Sequence, residues 1–457
     1  MANIKKFDLI VIGSGAGEDV AVEAAGHGLK TAVIEKGALG GTCLNRGCIP
    51  SKMLIHSADV VEVIKSADLF GIKVKGYEID FSSIIKRVSN AVDGDSKSIE
   101  NALTSGNNPV LYHKEGEFAG KKTIKVGNEI ITADKILIAA GARPSIPNVP
   151  GLKESGYITS EEALRLKKQP KVMTIIGGGY IATELAHFYG TLGTKINIIH
   201  RNEVLINRED NDIALRLTEV FKQKYNVYTG YEPTKVSKSG TVFEVEIKDK
   251  RGKMQVLKSD ALLVATGVTP YSDTLKLEKT GVKTNERGYI IVDAYLRTNV
   301  EGIFALGDII GKYLFRHSAN HEAGYAIENM VHSKQIPVDY RAMPHAIFTS
   351  PQIGSVGKTE EQLKEEKIEY LVGKYDYINT AMGSAIEDRT GFVKILVEKR
   401  TGKIAGCHII GHEASTLIHE VIVAMKSGNG MIDNITSAIH IHPALNEVIS
   451  RAAYSIE

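Results

Sequence analysis

Apolar runs that end at glycine-rich turns recur along the chain and predict buried strands followed by helices. The first run, FDLIVI at Phe7–Ile12, leads into a turn that contains Gly13, Gly15 and Gly17, after which alanines at helical spacing predict a helix. The next run, TAVIEK at Thr31–Lys36, predicts a second strand. This order of strand, glycine turn, helix and strand is typical of a βαβ unit.

An acidic residue closes this first unit. Glu35 lies about 20 residues beyond the first glycine, where a carboxylate accepts hydrogen bonds from a ribose. The glycines let the backbone approach a pyrophosphate, and the N–H groups that begin the helix act as donors. The third glycine of the usual fingerprint is replaced by Glu18, so the match is imperfect. The unit predicts a dinucleotide site, and a plain βαβ unit with a glycine turn is the alternative.

The same pattern returns at residues 172–201. The run VMTII precedes a turn with Gly177 and Gly179, and the following run, KINII, ends at His200 and Arg201 rather than at an acid. A carboxylate suits a ribose 2′-hydroxyl and repels a 2′-phosphate, whereas a cation does the reverse. The second site is therefore predicted to prefer NADP(H), with NAD(H) possible. The alternative is that these cations only face solvent in a loop.

Three further apolar runs end at or beside a glycine, namely Ile136–Gly141, Leu262–Gly267 and Ile303–Asp308. Gly141, Gly267 and Asp308 are expected to contact cofactors, with Asp308 placed to hold hydroxyl groups of a flavin nucleotide. Each run alone is weak support, but their order along the chain predicts an α/β fold with two Rossmann-like dinucleotide-binding domains. Two such sites in one chain indicate a flavin and a nicotinamide coenzyme.

Composition excludes several other classes of protein. The 457 residues carry 56 basic and 54 acidic side chains, a net charge of +2, which gives no electrostatic case for a nucleic-acid or membrane partner. The apolar runs are all much shorter than the roughly 18 residues of a membrane span. With only 3 cysteines the chain is not a secreted disulfide scaffold. We therefore expect a cytoplasmic protein.

Two of the cysteines, Cys43 and Cys48, lie close together after the first nucleotide unit, with Gly47 between them. On an ideal helix, residues five apart are separated by about 7.5 Å along the axis. A disulfide needs Cα atoms roughly 4.4–6.8 Å apart, so the helix must be distorted between them, which Gly47 permits. Such a pair is more often a redox or metal site than a structural one. A metal site is disfavoured because Cys407 is remote and no second C-x-x-C follows.

The stretch Leu39–Lys52, LGGTCLNRGCIPSK, resembles the active-site segment of the flavin-dependent pyridine nucleotide–disulfide oxidoreductases. This family includes dihydrolipoamide dehydrogenase, glutathione reductase, mycothione reductase and mercuric reductase. The resemblance extends over essentially the whole chain and implies FAD as the flavin. It also implies that electrons pass between NAD(P)H, FAD, a Cys43–Cys48 disulfide and a small disulfide or dithiol substrate.

The resemblance implies roles for single residues of this stretch. Cys43 would exchange with the substrate, and Cys48 would be the thiolate that faces the flavin. Lys52 would lie near flavin N5, with Glu184 of the second nucleotide helix as its ion-pair partner. Thr42 is expected to contact the cofactor.

A histidine near the end of the chain is the candidate base that a thiol pair needs. His442 precedes Pro443, and Glu447 follows five residues after the histidine. A carboxylate can fix the tautomer of a histidine and raise its basicity. Both residues match the family's C-terminal His-Pro and Glu, which in the family serve the opposite subunit of a dimer. His440 is the alternative base, and a surface histidine near a helix start is the alternative without catalysis.

The resemblance implies three domains and a homodimer. Residues 1–147 and 271–340 would form the FAD-binding domain, residues 148–270 the NAD(P)-binding domain, and residues 341–457 an α+β dimerisation domain. Cys407 lies in a predicted strand of the last domain and is expected to be buried as a small apolar side chain.

The substrate is the least defined expectation. Several stretches most resemble mycothione reductases, among them HSANHEAG at 317–324 and HPALNEV at 442–448. The tail RAAYSIE lacks the extra cysteine pair of mercuric reductases. These features favour a mycothione-type reductase that uses NADPH. The main alternative is an NAD-dependent dihydrolipoamide dehydrogenase of a 2-oxoacid dehydrogenase or glycine cleavage complex. An NADPH oxidase and a flavoprotein that has lost disulfide chemistry are more distant alternatives.

Overall fold

The structure is a computed structural model that describes residues 4–456, and these residues form two compact units. The first unit comprises the described residues up to Met53, together with residues 83–145 and 267–339. The second comprises residues 54–82, residues 146–266 and the described residues from Tyr340 onward. Residues 54–82, expected in the FAD-binding domain, thus belong to the second unit, which also joins the two remaining expected domains.

A seven-stranded sheet organises the described part of the first unit. Its strands, in the order in which they pair, are Val110–Tyr112, Thr31–Ile34, Lys5–Ile12, Glu129–Ile138, Thr123–Val126 and Gly116–Gly120, with Ile303–Ala305 also paired to Glu129–Ile138. The strands that flank Lys5–Ile12 run parallel to it, as a βαβ crossover requires. The sheet is covered on both faces, because residues such as Ile10 and Val11 have no exposed surface.

Helices of the first unit connect and cover these strands. The α-helices are Ala16–Gly26, Gly41–Arg46, Arg316–Ala326 and all but the first two residues of Phe81–Thr104. The helix Cys48–Ser66 begins in this unit and ends in the other. Shorter 3-10 helices lie at Tyr271–Thr274, Leu277–Lys279 and Gly307–Ile310, and a π-helix at Ile327–Val331. The strands Ala142–Pro144 and Val268–Pro270 form a separate antiparallel pair. The first apolar run thus lies, as predicted, in a buried strand before a glycine turn and a helix.

Three sheets organise the described part of the second unit. A parallel sheet repeats the nucleotide pattern with the strands Asn226–Thr229, Lys195–His200, Val172–Ile176 and Ala261–Val264. An antiparallel sheet consists of Tyr231–Ser239, Val242–Asp249 and Met254–Ser259. A five-stranded antiparallel sheet, in pairing order, consists of Pro344–Ile347, Gln352–Gly357, Ile404–Gly411, Phe392–Glu398 and Tyr370–Asp376. This mixed α/β architecture confirms the predicted fold class.

The helices of the second unit include the two long elements that follow its nucleotide strands. They are Ser160–Ala163, Tyr180–Thr191, Asn211–Lys224, Glu360–Glu365, Ala381–Ala385, Ala414–Lys426, Asp433–Thr436 and Glu447–Tyr454, with 3-10 helices at Ala67–Phe70 and Tyr377–Asn379. Between residues 4 and 456, the structure contains no helix with the length and apolar character needed to span a bilayer.

A buried lysine binds three carboxylates inside the second unit. Lys394, with 1% of its side chain exposed, lies 2.8 Å from Asp210, 3.3 Å from Asp212 and 2.6 Å from Glu360. Asp210 also accepts the N–H of Asp212 at the start of the helix Asn211–Lys224. Charges this deeply buried are stable only when paired, so the lysine joins this helix to the C-terminal sheet.

Replacement of Lys394 tests this joint. We expect Lys394→Met to lower the free energy of unfolding by roughly 3–5 kcal/mol, because it leaves buried carboxylates without their cation. Lys374→Met is the matched control, since Lys374 also contacts Asp212 but is 42% exposed, and should cost no more than about 1 kcal/mol. Urea titration of both variants measures the difference. An equal decrease in the free energy of unfolding in the two variants would contradict the claim that the burial of Lys394 makes its ion pairs important for stability.

Candidate active site

The two glycine turns are built in the same way. Gly13 has φ +105° and Gly177 has φ +127°, values that favour glycine. A Cβ on Gly13 would overlap the carbonyl oxygen of Ala139, and one on Gly177 would overlap that of Ala265. Each turn therefore packs against the end of a neighbouring apolar run, which explains why those runs recur in the sequence. Gly15 and Gly179 end the turns and stand directly before the helices.

Glu35 lies beside the first glycine turn, as its spacing predicts. One carboxylate oxygen accepts the N–H of Ser14 at 3.0 Å and the Ser14 hydroxyl at 2.9 Å, and the other accepts the N–H of Gly37 at 2.8 Å. These bonds fix the carboxylate at the carboxyl end of its strand, where dinucleotides bind in such sheets. The cradle of glycines with a fixed carboxylate at its edge fits the adenosine half of FAD.

The glycine that allows close contact between helix and strand is Gly17 rather than the residue at position 18. A Cβ on Gly17 would lie 2.8 Å from both the Ala139 Cβ and the Val11 Cγ1. Glu18 is accommodated at the next position, where burial raises its pKa to about 7 against the opposing charge of Arg316. The substitution of the third glycine therefore does not prevent the close packing of this unit.

The segment with the two cysteines is broken between them, as the spacing argument requires. The helix Gly41–Arg46 carries Cys43 and ends before Gly47, and a new helix begins at Cys48. A Cβ on Gly47 would lie 2.9 Å from the carbonyl oxygen of Thr42, so this break needs a glycine. The buried Asn45 stabilises the loop ahead of the break, because its amide donates to the carbonyls of Ala38, Leu39 and Gly41.

The two cysteines lie together, with a hydrogen bond between their side chains. That hydrogen bond from Cys48, together with the positive charge of Arg316, lowers the pKa of Cys43 to about 7 against the effect of burial. A large fraction of Cys43 is therefore thiolate at neutral pH, and thiolate is the nucleophilic form. Cys407 differs because it is fully buried in the strand Ile404–Gly411, which raises its pKa. This confirms the expectation that Cys407 is buried as a small apolar side chain.

Arg316 is a site residue that the sequence did not reveal. It begins the helix Arg316–Ala326, and its guanidinium lies 3.6 Å from the place of a Cβ on Gly15. One cation thus acts on the glycine turn, on Glu18 and on Cys43. No motif marks it, because it is more than 250 positions from these residues and only folding brings it near them.

Asp308 lies in the short helix Gly307–Ile310 that follows the strand Ile303–Ala305. Burial and the nearby charge of Glu322 raise its pKa to about 6. Glu322 is fully buried and accepts the N–H of Gly307 at 2.6 Å, so it fixes the turn that presents Asp308. The position of Asp308 at a strand end agrees with a role in holding hydroxyl groups. The sequence pattern does not predict its raised pKa, because burial and the contact with Glu322 depend on the fold.

His442 and Glu447 lie together, at 2.9 Å between Nδ1 and Oε1. The imidazole is 69% exposed, while Glu447 is buried at the start of its helix, and the hydrogen bond from His442 lowers the pKa of Glu447. The ionised carboxylate favours the tautomer with its proton on Nδ1, which leaves Nε2 as the basic nitrogen. His440 is instead 10% exposed and bound to Glu420 at 2.7 Å, so its position is that of a structural histidine.

His200 does not supply the positive charge that the coenzyme argument assigned to it. Its ring packs over the second glycine turn, with Cγ 2.5 Å from the place of a Cβ on Gly178. Burial and the adjacent Arg201 lower its pKa, so the imidazole is neutral near pH 7. The positive charge on which the NADP(H) prediction rests is therefore that of the arginine, and the role of His200 at the coenzyme site stays a prediction. The side chain of Arg201 is exposed at this strand end.

The other predicted residues occupy separate positions. Lys52 lies one turn after Cys48 in the first unit, and Glu184 lies in the second, where it is buried and accepts the N–H of Phe348 at 3.0 Å. Their ion pair stays a prediction. Thr42 is exposed beside Cys43. Gly141 and Gly267 flank the antiparallel pair in the first unit: Gly141 accepts the N–H of Tyr271, and Gly267 that of Ser145.

Comparison with known proteins supplies an independent finding. Residues 7–324 match the family model described as pyridine nucleotide-disulphide oxidoreductase, and residues 343–453 match the dimerisation domain of that family. The chain is 36% identical to a mitochondrial dihydrolipoyl dehydrogenase of Arabidopsis thaliana over 98% of its own length and 89% of the relative. It is 34% identical to the mycothione reductase of Mycobacterium tuberculosis, over 98% and 99% respectively.

A solved structure gives the same result for the fold. The copper(II) complex of the HOCl-induced flavoprotein disulfide reductase RclA from Escherichia coli superposes with a TM-score of 0.88 at 27% identity, covering 99% of both chains.

The influence of Arg316 on the thiol pair can be tested by alkylation. In the reduced protein we expect Cys43 to react with iodoacetamide with a midpoint near pH 7, because its thiolate forms as the pH rises through the pKa of about 7. Arg316→Met should move this midpoint to higher pH, whereas Arg287→Met, at an exposed site of the same unit, should not. Peptide mass spectrometry reports each cysteine separately. A midpoint near pH 9 in the unmodified protein would contradict the assignment.

Proposed function

Because this chain belongs to the pyridine nucleotide–disulphide oxidoreductase family, we propose that it reduces a small disulfide in the manner of a mycothione reductase, with NADPH as its electron donor. Family membership makes the chain an oxidoreductase that acts on sulfur groups and uses FAD and a pyridine nucleotide. The identity of the disulfide and the choice between the two coenzymes go beyond that and belong to the proposal.

The observation that carries the proposal is the hydrogen-bonded thiol pair with its lowered pKa. A thiol whose pKa lies near the ambient pH combines a large thiolate fraction with high nucleophilicity, so it attacks disulfides fast. Cys43 has this property because Cys48 donates to it and Arg316 is near. The exposed Cys48 provides the second sulfur that an exchange reaction needs.

The exchange chemistry follows from these groups. The first glycine turn and Glu35 would hold FAD, which when bound would supply the transfer of two electrons from the coenzyme to the Cys43–Cys48 disulfide and so regenerate the thiol pair. The Cys43 thiolate attacks one sulfur of the substrate disulfide, forms a mixed disulfide and releases one substrate thiolate. The Cys48 thiolate then attacks the Cys43 sulfur, closes the Cys43–Cys48 disulfide and releases the second thiolate. In the reverse direction the same steps oxidise a dithiol.

His442 is the proposed acid and base of this exchange. Its Nε2 can protonate the departing thiolate, and Glu447 holds the imidazole and stabilises its protonated form. The match to the family's dimerisation domain supports a homodimer. We propose that the exposed imidazole of each subunit serves the thiol pair of the second copy. A cytoplasmic location, expected from the sparse cysteines, stays a prediction.

The preference for NADPH depends on Arg201. It directly follows His200, which stands where an acidic residue would repel a 2′-phosphate, and its side chain is exposed. Arg208 is likewise exposed in the loop that follows. A guanidinium binds phosphate through paired hydrogen bonds, so one such residue can discriminate between the coenzymes.

Dihydrolipoyl dehydrogenase is the second candidate, for a specific reason. The neutral state of His200 removes one of the charges on which the NADPH preference rests. The similarity to the Arabidopsis thaliana enzyme also equals that to the mycothione reductase in extent along this chain. On this alternative the protein would use NAD and could serve a 2-oxoacid dehydrogenase or glycine cleavage complex.

Loss of one thiol tests the exchange scheme. Cys48→Ser should reduce turnover of a small disulfide with NADPH by at least about a thousandfold, because a mixed disulfide on Cys43 can no longer be resolved. Cys407→Ala is the control and should retain turnover, since that side chain is buried in a strand away from the pair. Normal turnover by the Cys48→Ser protein would show that the scheme is wrong.

Coenzyme kinetics separate the two candidates. With mycothiol disulfide, glutathione disulfide and lipoamide as substrates, we expect NADPH to give the higher kcat/KM with a small disulfide. Arg201→Met should lower kcat/KM for NADPH about tenfold and leave NADH unaffected, because only the 2′-phosphate contact is lost. Lys195→Met, at the exposed opposite end of the same strand, is the control. A preference for NADH with lipoamide would establish the second candidate instead.

A further inference from the structure

A buried glutamate connects the second glycine turn to the C-terminal sheet, within the second unit. Glu209 has no exposed side-chain surface and accepts hydrogen bonds from the Tyr180 hydroxyl, from the Ser355 hydroxyl at 2.9 Å and from the His345 Nε2 at 2.9 Å. Burial raises the pKa of Glu209, but the hydrogen bonds from these partners outweigh burial. The pKa is therefore lowered overall, and the carboxylate is ionised. An ionised carboxylate in this position is stable because each of its contacts comes from a donor.

The C-terminal sheet presents its two donors side by side. His345 and Ser355 are paired residues of the antiparallel strands Pro344–Ile347 and Gln352–Gly357, so they lie on the same face. The register of this pair therefore determines where the carboxylate of Glu209 is held.

Tyr180 is the end of this network that reaches the coenzyme site. It is the first residue of the helix Tyr180–Thr191, directly after the glycine turn, where the phosphates of a dinucleotide bind. Its ring stacks on His345 with centroids 6.0 Å apart and an angle of 12° between the planes. Burial and the charge of Glu209 raise the pKa of Tyr180, so its hydroxyl remains a donor.

The loop that carries Arg201 and Arg208 ends at Glu209 and is tied to the same turn. The N–H of Ile206 donates to the carbonyl of Gly178 at 2.7 Å, and the N–H of Glu209 donates to the carbonyl of Ile206. The carboxylate of Glu209 thus binds Tyr180 on one side of the site, while the backbone N–H of the same residue closes the loop on the other side.

We propose that Glu209 is a positioning residue for the pyridine nucleotide. Hydrogen bonds from His345 and Ser355 of the C-terminal sheet hold its carboxylate, and Glu209 in turn fixes the Tyr180 ring and the Arg201–Arg208 loop around the second glycine turn. The inference requires that a coenzyme binds at this turn, but it does not depend on which of the two coenzymes is preferred. The C-terminal domain therefore takes part in coenzyme binding within its own chain, in addition to any part it has in dimer formation.

Removal of one hydroxyl tests the proposal with little risk to folding. In the FAD-loaded enzyme, Tyr180→Phe should raise KM for the preferred coenzyme about tenfold, the effect of a lost hydrogen bond to a charged group, with little change in kcat. Tyr189→Phe is the matched control, because Tyr189 is a buried tyrosine of the same helix whose hydroxyl donates to the Ala163 carbonyl instead. It should leave KM within twofold of the unmodified enzyme.

A double-mutant cycle makes the test specific to Glu209. Glu209→Gln should raise KM as Tyr180→Phe does, and the double variant should be no worse than the poorer single variant, because both remove the same contact. Oxidation of the dithionite-reduced enzyme by the disulfide substrate should stay unchanged in every variant. A Tyr180→Phe enzyme with the same KM as Tyr189→Phe would overturn the proposal, whether or not Glu209→Gln folds. A double variant whose increase in KM equals the product of the two single increases would also overturn it. Failure of the unmodified enzyme to use any small disulfide would instead count against the proposed function.

Discussion

The close approach of Cys43 and Cys48 is the constraint on which the proposed chemistry of this protein depends, and it requires an interrupted helix. An unbroken helix would separate the two sulfurs along its axis. Gly47 allows the chain to turn back on the carbonyl of Thr42, and Asn45 holds the preceding loop by three carbonyl contacts. The packing of one glycine and one amide thus shapes the break between the two cysteines, and the hydrogen bond from Cys48 together with Arg316 lowers the pKa of Cys43.

Several carboxylates around the nucleotide turns are fixed by hydrogen bonds from neighbouring groups. In the first unit, Glu35 is fixed by Ser14 and Gly37, and the buried Glu322 holds the turn of Asp308. In the second unit, Glu209 and its neighbour Asp210 bind donors from the C-terminal sheet. Moving a buried charge away from several fixed donors would cost free energy. These contacts therefore preorganise the turns for ligand binding.

The sequence allowed the prediction of several features that depend on local order. The strand, glycine turn and helix of both nucleotide units follow from apolar runs and glycine spacing, and the helix break follows from the spacing of Cys43 and Cys48 alone. Contacts between distant segments could not be predicted in this way. Arg316 and the Glu209–His345 pair carry no local motif. The burial of His200 over Gly178, which lowers its pKa, is a tertiary property that the sequence does not reveal. The grouping of residues 54–82 with the second unit has the same origin, since it depends on packing.

The most direct test of the account is a count of thiols before and after reduction by the coenzyme. The oxidised FAD-loaded protein should be denatured without reductant and its cysteines labelled, and the same should be done after anaerobic addition of NADPH or NADH. With 3 cysteines in the chain, the account predicts labelling of Cys407 alone before reduction and of all 3 cysteines afterwards. Labelling of Cys43 and Cys48 that does not respond to either coenzyme would contradict the claim that this pair is a reversible disulfide fed by the pyridine nucleotide.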